Sequence, residues 1–240
     1  MSDSTRSRDV DGVRVLTFDR PERLNSFTAA DYRDLHLALD ACLTDDSVHA
    51  VVLTGAGRAY SAGADRSLLN LVRAGQGDAG TEFNRLLDVL GGFDKPILAA
   101  VNGVAVGIGA TMLMYCDLVL VAETARLRLP FTELGIVPEA GSSALLPRRL
   151  RWPDLTWAVL SSEWIDASVA VDMGFAWRQV PDDQLLDETL SAAGKIAKLD
   201  NSAVRATKRL IAAGRADIAK AAAEREAAEL SRLLEARDDS

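Results

Sequence analysis

Two glycine-rich turns carry the backbone chemistry that this sequence offers. The first, Tyr60-Ser61-Ala62-Gly63-Ala64-Asp65, follows a short apolar run. The second, Asn102-Gly103-Val104-Ala105-Val106-Gly107-Ile108-Gly109-Ala110, leads into a predicted helix. Such turns expose backbone N–H groups, and the first N–H groups of a helix lack intrahelical partners. Two donors aimed at one point form an oxyanion hole, which stabilises negative charge developing on a carbonyl oxygen. Close packing of backbone on backbone explains the glycines equally well. Neither turn is a dinucleotide fingerprint, because Met112 holds the last glycine position counted from Gly107, and no Walker lysine follows either turn.

The elements that must position these turns read as α/β. Alternation over Val13–Phe18 predicts a strand, and Asp19-Arg20-Pro21-Glu22 ends it. From Thr28 as N-cap, Tyr32, Leu35, Leu39, Cys42 and Leu43 share one helical face. The continuous β-branched run 50–54 predicts a strand buried on both faces. A helix from about Thr81, strands over Ile97–Val101 and Val104–Val106, a helix over 110–115, and strands over 118–121 and 127–129 follow. Strand–helix alternation with little polar spacing indicates α/β layers.

Beyond Pro181 the pattern is helical. Leu186, Leu190, Ala193 and Ala197 form one stripe; Val204, Thr207 and Ile211 form another. An Ala-, Glu- and Arg-rich helix spans 216–235, with Ile218, Ala222, Leu230, Leu233 and Leu234 apolar. The expected organisation is a core over 1–183 and a helical region over 184–240. The stretch 75–80, rich in glycine, reads as a loop.

Composition narrows the function. The chain has 240 residues, 48% hydrophobic and 26% charged, which suits a sizeable core rather than disorder. Lys+Arg of 27 against Asp+Glu of 35 gives a formal net charge of −8, against a nucleic-acid binder. Cys42, Cys116, His36 and His49 have no zinc spacing, so no metal is expected. Residues 1–9 are polar and lack a signal-peptide core. No apolar run reaches the length of a membrane span. A soluble, cytoplasmic protein without membrane or nucleic-acid partners is the expectation.

At the level of motifs the chain resembles the crotonase (enoyl-CoA hydratase/isomerase) superfamily. Pro21-Glu22-Arg23-Leu24-Asn25-Ser26 is similar to the family's early Pro-x-x-x-Asn-Ala/Ser signature. Ser61-Ala62-Gly63-Ala64-Asp65 matches its Ala-Gly-Ala-Asp turn. Lys95-Pro96-Ile97-Leu98-Ala99-Ala100-Val101-Asn102-Gly103 matches the segment before its second turn, and Cys116-Asp117 matches its later Cys-Asp. The resemblance implies a crotonase-like spiral of ββα units with helical C-terminal region, assembled as homotrimers or hexamers. It also implies acyl-CoA thioester substrates, with CoA as part of the substrate and no separate cofactor. The family's oxyanion donors map onto the N–H groups of Ala64 and Ile108. Ala62, Gly63, Asp65, Gly107, Thr111, Phe131 and Pro138 fall around the implied substrate pocket, with the Ile108 side chain narrowing it. Asp65 is expected to stabilise its own turn.

The acid/base positions separate the reactions. A typical hydratase holds water between two glutamates; the corresponding positions here are Thr111 and Phe131. Pro130-Phe131-Thr132-Glu133-Leu134-Gly135-Ile136-Val137-Pro138-Glu139 resembles instead the segment of peroxisomal-type Δ3,Δ2-enoyl-CoA isomerases, whose single base is the Glu of Pro-Glu. Glu139 is then the catalytic candidate, and the apolar residues around it would raise its pKa. The implied function is isomerisation of 3-enoyl-CoA to 2-enoyl-CoA, a reaction of fatty-acid-oxidation type. The alternatives are hydratase-like or ring-isomerising chemistry, or an acyl-CoA-binding scaffold without turnover. Arg23, Arg58, Lys208 and Arg209 are the candidate contacts to CoA phosphates. The clustered Trp152, Trp157, Trp164 and Trp177 read as packing or interface residues.

Overall fold

Continuous β-branched runs become the inner strands of a twisted sheet. The computed structural model describes residues 4–65, 67–68 and 79–238. Its larger sheet runs β1 (Thr5–Val10), β2 (Val13–Phe18), β3 (Ala50–Gly55), β5 (Ile97–Val101), β7 (Leu118–Ala122) and β10 (Arg178–Val180). The β1–β2 hairpin is antiparallel, and the remaining pairs are parallel. β3 and β5 are buried almost throughout, as strands covered on both faces must be. The smaller sheet runs β4 (Ala59–Ser61), β6 (Val104–Val106), β8 (Arg126–Arg128) and β9 (Ile165–Asp166). Each of the pairs β3–β4, β5–β6 and β7–β8 thus lays one strand in each sheet, and the chain winds as a spiral. Because β4 pairs with β6, the turn after Ser61 lies beside the turn after Val106.

Helices cover the spiral. α1 (Ala29–Thr44) starts where Thr28 and Asp31 form a reciprocal capping box. It packs on α2 (Ala79–Gly92). The expected loop at 75–80 lies outside the described residues as far as Asp78, and Gly80 already belongs to α2. Downstream come the short α3 (Ile108–Thr111), then α4 (Ser142–Arg149), α5 (Trp152–Ser161) and α6 (Ala167–Asp172). The chain closes with α7 (Leu185–Ala197), α8 (Asn201–Ile211) and α9 (Arg215–Asp238). α7 crosses β2, β3, β5 and β7, while α9 packs on α2 and α4. Leu185, Ala193, Ala197 and Ala219 belong to the same buried cluster as the strands. α7 and the start of α9 therefore join the core of the spiral.

Two predicted stripes sit differently. On α7 the buried line is Leu185, Thr189, Ala193 and Ala197, with Leu186 and Leu190 half-buried beside it. Thr189 is tolerated there because its hydroxyl donates to Leu185 O at 2.7 Å. On α8 the apolar Ile211 is 78% exposed and the buried residue is Lys208. Its ammonium pairs with Asp117 at 2.7 Å and donates to Lys95 O at 2.5 Å. Asp117 also accepts the Ile97 N–H at 2.7 Å. Lys95, fully buried, donates to Cys42 O and Asp45 O and so closes the C-terminal end of α1.

Candidate active site

The first turn is tied down on all sides but one. Ser61 Oγ donates to Asn25 O at 2.8 Å and accepts the Gly63 N–H at 3.1 Å. The Ala62 N–H reaches Leu24 O, the Asp65 N–H reaches Phe27 O, and Phe27 N–H returns to Gly63 O. Among the described residues the Ala64 N–H meets no acceptor. Asn25 holds the neighbouring loop, donating to Ala56 O and Ala59 O and accepting the Arg20 N–H. Gly63 has φ +89°, and a Cβ there would lie 2.6 Å from Val106 O. Only glycine lets the first turn rest this directly on the second.

The second turn presents a matching donor. The Gly107 N–H is taken by Arg128 O, and Gly107 O accepts from Ala110 and Thr111. Ile108 opens α3, and among the described residues its N–H has no acceptor either. A Cβ placed on Gly107 would lie 3.9 Å from Glu139 Oε1. The two turns and this carboxylate therefore converge.

Ala64 of the first turn and Glu139 meet at a cavity of about 300 Å³ whose walls also include Tyr32, Phe83, Ile136 and Pro138. The residues Leu230 and Leu234 of α9 close it from the far side. Glu139 keeps some exposed surface because it faces this cavity. Protein otherwise encloses it, and that burial pushes its carboxyl up to about 7, with the Glu226 carboxylate adding to the rise. Among the described residues no donor binds the Glu139 carboxylate. Tyr32, buried in the wall, has its phenol held well above its ordinary pKa by burial first, and by Glu139 as well.

The remaining candidates divide. Gly63 and Gly107 lie where the two turns touch, whereas Ala62, Asp65, Ile108, Thr111 and Phe131 do not line the cavity. The Ile108 side chain is fully buried in the core cluster and does not narrow the cavity, contrary to expectation; only its backbone is placed for chemistry. Thr111 is fully buried, with no hydrogen-bond partner for its hydroxyl among the described residues, and Phe131 is buried in the core. Asp65 ties its own turn through Ser67 and Ser26, which holds its carboxyl below the usual range.

Arg23 and Arg58 are exposed. Arg23 adjoins Leu24, whose carbonyl holds Ala62. Arg209 is exposed and pairs with Asp94 at 3.0 Å. Lys208 corrects the expectation of a phosphate contact: it is 4% exposed and committed to Asp117 and Lys95 O inside the protein. His36 and His49 are structural, bonded at 2.8 Å to Glu82 and to Ala197 O respectively.

Glu226 escaped sequence reasoning. It lines the cavity from α9, is 7% exposed, and accepts the Gly141 and Ser143 N–H groups at 2.8 Å each. The signal was its spacing, four residues after Ala222 and seven after Ala219, on the buried face of the helix.

Comparison with known proteins places the chain in a family. The sequence pattern described as enoyl-CoA hydratase/isomerase matches residues 8–238. The chain is 36% identical over 195 residues to the 1,2-epoxyphenylacetyl-CoA isomerase of Escherichia coli K12, covering 78% of this chain and 73% of that one. It is 32% identical over 204 residues to enoyl-CoA delta isomerase 2 of Rattus norvegicus, covering 83% of this chain and 52% of the relative. The crystal structure of an enoyl-CoA hydratase/isomerase from Pseudoalteromonas atlantica T6c superposes with a TM-score of 0.90 at 34% identity, covering 96% and 91% of the two chains.

Proposed function

Since this chain belongs to the enoyl-CoA hydratase/isomerase family, the crotonase superfamily of acyl-CoA enzymes, we propose that it converts a 3-enoyl-CoA to the 2-enoyl-CoA. The Glu139 carboxylate takes a proton from C2. The thioester carbonyl becomes an enolate, whose oxygen is bound by the N–H groups of Ala64 and Ile108. Protonated Glu139 then delivers the same proton to C4, and the double bond moves from C3–C4 to C2–C3. Each oxyanion donor of this kind lowers the barrier by about 3 kcal/mol. No metal or redox group enters these steps, and CoA comes with the substrate.

One observation carries the reading. Among the described residues the cavity holds two carboxylates, and no donor binds Glu139 while both oxygens of Glu226 accept backbone N–H groups. Glu139 is thus the carboxylate ready to move a proton, and Glu226 is not ready to hold a water. With Thr111 and Phe131 elsewhere in the core, hydration lacks its usual pair of acids. The scaffold alternative without turnover leaves the unbonded, partly desolvated Glu139 without a purpose.

A second reading is isomerisation of a ring-bearing acyl-CoA. The aromatic wall favours it: Tyr32 and Phe83 meet edge to face with centroids 5.4 Å apart. It is also the activity in the name of the Escherichia coli relative.

Arg23, Arg58 and Arg209 supply the cations for the CoA phosphates. Trp152 and Trp157, each 67% exposed, and Leu210 and Ile211, each 78% exposed, leave apolar surface that suits a trimer or hexamer. Buried, unpaired Cys42 and Cys116 suit a reducing cytoplasm, and among the described residues no helix is long and apolar enough to cross a membrane.

The test is to supply trans-3-hexenoyl-CoA, crotonyl-CoA and a ring-epoxide acyl-CoA in parallel. Conjugation faster than hydration is expected. Hydration of crotonyl-CoA outpacing isomerisation would overturn the proposal, and turnover confined to the ring substrate would select the second reading. Light scattering tests the assembly, and a fully active 25.7 kDa monomer would exclude it.

A further inference from the structure

The residues after Glu139 are held in an unusual way. Ala140 has φ +61° and Gly141 φ +67°, two successive left-handed residues, the first of them not glycine. A non-glycine residue stays in that region only where its surroundings over-determine it, and such strain gathers at functional sites. Here the surroundings are explicit. Tyr115 Oη donates to Ala140 O at 2.7 Å. Glu226 receives the Gly141 N–H on one oxygen and the Ser143 N–H on the other. A Cβ on Gly141 would lie 2.6 Å from Ala219 O, so the backbone of α9 sits directly on this turn.

We propose that Glu226 is the positioning residue for Glu139: by clasping Gly141 and Ser143 it fixes the strained turn that aims the Glu139 carboxylate. Its second effect is electrostatic. A buried negative charge that shares the cavity disfavours ionisation of Glu139 and makes the carboxylate a stronger base. Among the described residues, Tyr32 of α1 lies beside Glu139 and Tyr115 beside Glu226, Arg215 and Asp88 lie around Tyr115, and Asp217, Lys220 and Glu224 of α9 line the neighbouring cavity with Tyr115. Arg215, the cation beside Tyr115, pairs loosely with Asp117 at 3.9 Å and donates to Tyr115 O, while its Nε and Nη2 are buried without a partner among the described residues. The catalytic part of the inference rests on Glu139 being the base.

Two substitutions separate aim from charge. Glu226→Gln removes the charge and, because its amide nitrogen cannot accept, one of the two clasps. The acid limb of kcat/KM is expected about one pH unit lower than in wild type, with kcat on the plateau reduced about tenfold. Glu226→Asp keeps the charge but is too short to reach both N–H groups. Its plateau kcat is expected about tenfold lower, with the acid limb unmoved. A role confined to stability would lower the melting temperature of both variants and leave the midpoint in place.

Titration of Glu139 by carboxyl NMR, in wild type and in Glu226→Gln, gives a readout without turnover. A downward move of its midpoint supports the charge effect even if Glu139→Gln proves active, an outcome that would remove the base assignment alone. An unmoved midpoint in Glu226→Gln, or wild-type kcat in Glu226→Asp, overturns the proposal. If Glu226→Gln does not fold, Glu226→Asp decides.

Discussion

The two sides of the proposed site are built on different principles. The donor wall, Ala64 and Ile108, is held by hydrogen bonds along and between the strands β4 and β6, with Asn25 and Ser61 as local ties. The base wall, Glu139 to Ser143, lies outside the strands, at the start of α4. It depends on Tyr115 and on Glu226, which lies 85 positions from Gly141. One wall is assembled by the core itself, and the other only when the last helix docks.

Glu139→Gln is the largest expected break. The amide cannot carry the proton, so kcat should fall about 10³- to 10⁴-fold while acyl-CoA binding and the melting temperature persist. Isothermal titration with a non-reactive acyl-CoA and a steady-state assay check it. A mutant with near wild-type turnover would remove the base wall from the mechanism.

Gly63→Ala attacks the donor wall. The new Cβ meets Val106 O, so the turn must shift and the Ala64 N–H loses its aim. The expected loss is about 10²- to 10³-fold in kcat, with a smaller change in KM. Comparable losses in kcat and binding would mean that the turn holds the ground-state substrate instead.

The pH profile addresses the base wall in the native protein. In the proposed reaction Glu139 acts as the carboxylate, and burial pushes its carboxyl up to about 7, so activity should rise through that value and level off above it. The loss below is about tenfold per pH unit. For stability the sign is opposite. A carboxyl raised above its unfolded value of 4.5 favours the fold below that value, and the benefit disappears as pH rises through about 7. A melting temperature that climbs across this window with no other group titrating would contradict the enclosure of Glu139.

The smallest catalytic effect belongs to the cations. Arg58→Ala should raise KM for acyl-CoA about threefold through a solvated phosphate contact. Lys208→Met should leave KM unchanged and lower stability by about 2–3 kcal/mol, because it strands the carboxylate of Asp117. A denaturation curve and a KM for each variant distinguish the two roles.

The donor wall was legible in the sequence because its geometry is written in short motifs. The glycines, Asn25 and the Lys95-Pro96 segment all act on neighbours fixed by strand order. Thr28 as N-cap and the doubly buried strand at 50–54 were likewise readable, since local capping and β-branched runs decide them. The first strand, Thr5–Val10, was not; it is polar and mostly exposed, held by pairing with β2 rather than by its own pattern. Lys208 looked like a surface cation because nothing nearby in sequence announces Asp117 as its partner. Glu226 was hidden for the same reason: a glutamate in an Ala- and Glu-rich helix looks solvated until the turn it clasps is known.

The stacking of β4 on β6 also acts as a ruler. Neighbouring strands lie about 4.8 Å apart, and an oxygen bound from two sides needs donors at about 2.9 Å each. In the proposed reaction, N–H groups just beyond the ends of two adjacent strands bracket one oxygen atom without any side chain to set the width. That spacing belongs to the peptide backbone, so a side chain can spoil it, as one at Gly63 would, but supplies no group that adjusts it. A chain of this build can change the reaction it performs only from the opposite side of the cavity, by moving, replacing or re-aiming carboxylates such as Glu139.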